Sequence, residues 1–136
     1  MDPLVTLPLV GASLKVIVLA SRDLSTLIQK YKTADQRVKL VLARLNTIHA
    51  TLLQLDSWVV KQQTLAAKLA SDLDLAVRSC ELVVEDIQKR IDVFKSTERA
   101  KGKIRYIWNE PEFLHCQQSL DSQIAALALF MNVIIL

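Results

Sequence analysis

Between Pro8 and Pro111 the chain contains no proline, and its only glycines anywhere are Gly11 and Gly102. These are the residues that end helices. Proline removes a backbone donor and clashes with the preceding turn, and glycine carries the largest backbone entropy cost. A long stretch without them, rich in Leu, Ala, Lys, Gln and Val, favours helix because straight-chain side chains lose little rotamer freedom there. At 136 residues the chain is one domain, able to bury roughly two-thirds of its unfolded surface. With 51% hydrophobic residues, it needs neither a disulfide nor a metal to hold a core.

The apolar residues recur with the 3.6-residue period of a helix, in four stretches. The first runs from Leu4 or Pro8 to Tyr31, with Leu7, Val10, Leu14, Ile17, Leu24, Leu27 and Ile28 on its stripe. The second opens at Thr33-Ala-Asp-Gln36, which has the form of a capping box, and ends between Asp56 and Gln63. Its stripe is Val38, Leu42, Leu45, Ile48, Leu52 and Leu55. The third spans Thr64 to Thr97 through Leu73, Cys80, Val84, Ile87, Ile91 and Phe94, and Gly102 marks the break after it. Asn109-Glu-Pro-Glu112 starts the fourth, with proline in the first turn and carboxylates at the positive helix end. Phe113, Leu120, Ile124, Leu127 and Met131 carry it to Leu136.

Short connections reverse the chain direction each time, so an all-α, up-and-down four-helix bundle is the simplest solution, with a short connecting segment before the last helix. The whole of 1–136 reads as one helical-bundle domain. Its apolar pattern continues to Leu136 without a cap, as expected of the N-terminal part of a longer protein. Asp2 and Pro3 stand where a secretory signal places basic residues. Lys15, Arg22 and Asp23 interrupt the first apolar run too early for a membrane span, and Ile124–Leu136 is too short for one. Two cysteines without metal-ligand spacing fit a reducing intracellular setting.

No catalytic constellation emerges, and no enzyme activity or cofactor is expected. Glu112-Phe-Leu-His115 has the Glu-x-x-His spacing of di-iron bundles, which use that motif twice. The other histidine, His49, has no glutamate three residues before it, so no metal site is expected. His115 and Cys116 are adjacent, and neighbours on a helix point about 100° apart, a poor geometry for a nucleophile and its base. Cys80 lies on the core stripe and is expected to pack as a small hydrophobe.

Two features remain for function. The segment from Arg99 to Trp108 holds Arg99, Lys101, Lys103 and Arg105 together with Tyr106 and Trp108. An anionic membrane surface would engage the cations through headgroups and the aromatics at the boundary. Nucleic acid would use stacking and phosphate contacts, but a net charge of +3 and the lack of another basic stripe speak against it. An interhelical plug of Ile104, Ile107 and Trp108 beneath solvated cations is the third reading. The second feature is the first helix, where Leu4, Val5, Leu7, Leu9 and Val10 cover nearly the whole circumference, followed by Val16–Leu19. A helix apolar all round is either sandwiched in its bundle or has a further apolar partner.

The opening Met1-Asp2-Pro3-Leu4 with its apolar helix resembles the HeLo-like N-terminal domain found ahead of NACHT and ankyrin-repeat modules in filamentous fungi. Cys80-Glu81-Leu82-Val83-Val84 and Ile104-Arg105-Tyr106-Ile107-Trp108-Asn109-Glu110 match in the same order, followed by Leu120, Gln123, Ala126 and Leu127. The resemblance implies a programmed-cell-death or innate-immune signalling effector related to executioner helical bundles. Such a domain is cytoplasmic at rest and moves to the plasma membrane when a sensor or amyloid-forming partner oligomerises it. Leu4, Val5, Leu7, Leu9, Val10 and Leu14 would then enter the membrane. Arg99, Lys101, Lys103, Arg105, Tyr106 and Trp108 are the candidates for docking on anionic lipid. The expected partners are therefore other copies of the chain, anionic lipids and an upstream signalling partner, with no nucleic acid. The alternative is a non-lytic adaptor that only pairs with proteins.

Overall fold

A computed structural model describes residues 6–30, 36–62, 67–101 and 108–135, with side chains at 11–30, 36–58, 69–96 and 108–133. Four helices make up the described chain: α1 (Thr6–Lys30), α2 (Gln36–Gln62), α3 (Ala67–Lys101) and α4 (Glu110–Ile135). Pro8 falls in the first turn of α1, where its missing donor costs nothing. α3 outruns the expected end at Thr97. Its extra turn, Glu98-Arg-Ala-Lys101, holds only good helix formers. The Thr33-to-Gln36 capping box falls largely on residues outside the described ones.

The start of α4 shows why its sequence signal works. Asn109 Oδ1 accepts from the Glu112 backbone N–H at 2.8 Å, and Glu112 Oε1 accepts from the Asn109 N–H at 3.1 Å. This reciprocal pair satisfies donors that the first turn leaves without partners. Pro111 fits inside it because that position needs no donor.

Each helix turns one stripe inward. Ile17, Ala20, Leu24 and Leu27 meet Val38, Val41, Leu45, Ile48, Leu52 and Leu55 in the core. Leu73, Val77, Cys80, Val84, Ile87, Ile91 and Phe94 come from α3, and Phe113, Cys116, Leu120 and Leu127 from α4. Of the expected stripe, Leu14, Ile28, Leu42, Ile124 and Met131 are only half-buried at its margin.

Polar contacts between helices fix the directions. Ser13 reaches Glu81 and Asp23 reaches Gln88 and Lys95, so α1 and α3 run parallel. The Arg37 guanidinium stands 6.0 Å from the Phe113 ring centre and Arg44 pairs with Asp121, so α2 and α4 are parallel too. Cys80 with Gln123 and Arg90 with Glu112 set α3 against α4 antiparallel. The extensive interfaces are α1 with α2 and α3, and α4 with α2 and α3. Around the bundle the order is therefore α1, α2, α4, α3. The directions alternate as short connections require, yet α2 and α3, consecutive in the chain, face each other across the diagonal.

Candidate functional site

The first helix occupies a corner and is not sandwiched, since it packs on two helices and lies diagonal to the third. Ile17, Ala20, Leu24 and Leu27 are all but inaccessible, and Leu14 packs half-buried against the core. On the outer side Val18 and Leu19 are 46% and 41% exposed. Of the predicted insertion residues, Leu4 and Val5 lie outside the described residues. Leu7, Leu9 and Val10 lie within α1, but their side chains are outside the described ones. No described helix is long and apolar enough to cross a membrane.

Two polar points, ten residues apart on α1, tie it to α3. Ser13, fully buried, donates to Glu81 Oε2 at 3.3 Å. At the second point, Asp23 Oδ2 accepts from Gln88 Nε2 at 2.9 Å and from Lys95 Nζ at 3.1 Å. Burial alone would raise the Asp23 pKa, but the Gln88 and Lys95 hydrogen bonds and the charges of Lys95 and Arg22 outweigh it and lower it.

Of the predicted lipid-docking set, Arg99 and Lys101 lie in the last turn of α3, and their side chains are outside the described ones. Lys103, Arg105 and Tyr106 lie outside the described residues. Trp108 is 1% exposed and belongs to the core, with its Nε1 donor unpaired among the described residues. In this closed bundle it plugs the interior, so a headgroup cannot reach it without its withdrawal.

A groove of about 250 Å³ runs between α3 and α4, lined by Leu82, Asp86, Arg90, Glu112, His115 and Cys116 among others. Glu112, one half of the Glu-x-x-His spacing, is already committed to the Asn109 cap and to Arg90. The backbone cap first, then Arg90, lower its pKa against burial. Burial pushes the thiols of Cys80 and Cys116 up to about 11, so both are protonated at neutral pH and poor nucleophiles. No group of three His, Cys, Asp or Glu side chains suited to a metal occurs among the described residues.

The sequence reading missed a fourth surface. The solvent side of the second half of α4 exposes Leu129 at 67% and Val133 at 64%, with Ala125, Ala128 and Asn132 beside them. The signal was present: from Ser122 to Leu136 the chain carries no charged residue. Compared with family models, curated proteins and solved structures, the chain matches none.

Proposed function

We propose that this chain is a non-catalytic effector module that acts by self-association followed by membrane contact through its first helix. The observation that carries the reading is the placement of α1. It sits at a corner, exposes Val18 and Leu19, and leads from the apolar turns Leu7, Leu9 and Val10 into the core. Buried, unreactive thiols and a Glu112 already paired support a role without chemistry. The cell-death and immune-signalling setting, the cytoplasm-to-plasma-membrane route and the upstream sensor rest on the HeLo-like sequence resemblance alone.

Magnitudes decide when α1 could act. Exposing Ile17, Leu24 and Leu27 costs roughly 5–9 kcal/mol, comparable with the whole stability of a small domain at about 5–15 kcal/mol. A monomer therefore keeps α1 docked. Only the added contacts of an oligomer or a bilayer offset that cost, which makes assembly the trigger. The basic residues Arg99, Lys101, Lys103 and Arg105 would add attraction to anionic headgroups.

A second reading has its own observation. The charge-free face of α4, with Leu129 and Val133 outward, suits an adaptor that pairs with another protein surface and never meets lipid. Co-sedimentation with anionic liposomes separates the two. The effector reading expects a chemically tethered oligomer to pellet with vesicles while the monomer stays in solution. Failure of both to pellet would leave the adaptor.

A further inference from the structure

We propose that the cluster of Asp23, Gln88 and Lys95 is the resting-state latch of α1, an autoinhibitory clasp that must open before the helix can leave α3. This rests on the reading of α1 as the element that acts, and it names the contact that regulates it.

The described side chains give α1 two kinds of seam. Towards α2 the described contact is through the shared apolar core, to which Leu24 and Leu27 of α1 and Val38 and Val41 of α2 all belong. Apolar contact is non-directional and yields gradually as surfaces slide. Towards α3 polar contact is made at points. Ser13 to Glu81 is the weaker, a 3.3 Å bond from a hydroxyl. Asp23 is the stronger, because one carboxylate oxygen takes two donors and one of them is charged.

The cluster is also tied into α3. Gln88 spends its second amide hydrogen on Asp92 Oδ1 at 3.0 Å, one turn along the same helix. With carboxylates on both sides, the amide can only present its nitrogen, which leaves Oε1 buried and unpaired among the described residues. Gln88 therefore holds an unpaired acceptor in order to serve two carboxylates. Asp23 is largely covered, its side chain 17% exposed, whereas Lys95 is 45% exposed. Withdrawing Asp23 strips Gln88 and Lys95 of a shared acceptor at once, so the clasp opens as a unit.

The test is a charge swap read by hydrogen exchange in the full chain. Asp23→Lys faces Lys95, and Lys95→Asp faces Asp23 and Asp92; each single variant should raise exchange of the α1 amides at 17–27 by about tenfold or more. Exchange in the middle of α2, around Leu45 and Ile48, should change far less. The double variant restores an opposite-charge pair, and Gln88 can turn its free Oε1 towards the lysine introduced on α1. Exchange of the α1 amides should then return to within about threefold of wild type. Asp23→Asn, the mildest change, should give a smaller rise in the same amides. Unchanged α1 exchange in the singles, an equal rise in all four helices, or a double variant as open as the singles would each overturn the latch. Dye release from anionic vesicles by the chemically tethered oligomer of each variant is read in parallel. Loosened α1 without release leaves the latch standing and removes the membrane reading, whereas release without loosened α1 removes the latch.

Discussion

The first and last helices start from the same sequence property and differ in how far along their length they are anchored. Both are corner helices with more apolar residues than one buried stripe needs. In α1 the buried stripe of Ile17, Ala20, Leu24 and Leu27 is sealed and Asp23 is fastened to α3, while of the excess Val18 and Leu19 stay part-exposed on a helix held along its length. In α4 the polar anchoring lies in the first half, in the Asn109 cap, the Arg90 pair and the Arg44 pair with Asp121. Its second half has no charge and turns Leu129 and Val133 to solvent. An apolar surplus in a sequence thus says that a partner surface is needed. Which partner, inside or outside the bundle, depends on the neighbours the fold supplies.

Substitutions along the two helices put that contrast at risk. Leu24→Ala in α1 should cost about 2–5 kcal/mol, because a sealed site cannot collapse around the lost atoms; chemical denaturation measures it. Asn109→Ala removes one arm of the α4 cap and should cost about 1 kcal/mol in the same assay. A loss as large as that at Leu24 would mean that α4, not α1, is the better secured helix. Leu129→Ala or Val133→Ala should fall within about 0.5 kcal/mol of wild type. If either instead destabilises like Leu24→Ala, the outer face of α4 is not the free surface described above.

Acid sharpens the same comparison. The Asp23 carboxyl sits below the ordinary aspartate range of about 3.9, despite its burial, because Gln88 and Lys95 hold it. Its contribution to stability is complete above that unfolded-chain value and is lost as pH falls through the folded one. Glu112 in α4 follows the same rule, its pKa lowered by the cap and Arg90. Asp23→Asn should therefore narrow the gap between stabilities measured at pH 7 and at about pH 3, the smallest of these effects. An unchanged gap would show that the clasp contributes nothing to the acid response.

Much of the bundle was legible before folding was considered. The Gly and Pro punctuation and the 3.6-residue stripes placed all four helices, with the α3 end short by one turn. Asn109-Glu-Pro-Glu112 foretold a helix start because capping is local chemistry. The order of helices around the bundle was not legible. Short connections fix direction, but neighbourhood depends on which stripes and polar points match, such as Asp23 with Lys95, 72 positions apart. The charge-free run from Ser122 marks an apolar α4, but which of its apolar residues face solvent depends on the neighbours that cover the other side. For the candidate site, Trp108 illustrates the limit: beside four cations it reads as an interfacial aromatic or as a plug of the bundle end, and only packing, which encloses it in the core, decides for the plug.

Dye release from anionic liposomes by the tethered oligomer tests the central claim most directly, comparing wild type with Leu7→Glu and Val10→Glu in α1 and with Leu129→Glu and Val133→Glu in α4. Wild type and the α4 variants should release dye while the α1 variants lose most of that activity. Equal release from all of them, or loss only in the α4 variants, would contradict the claim.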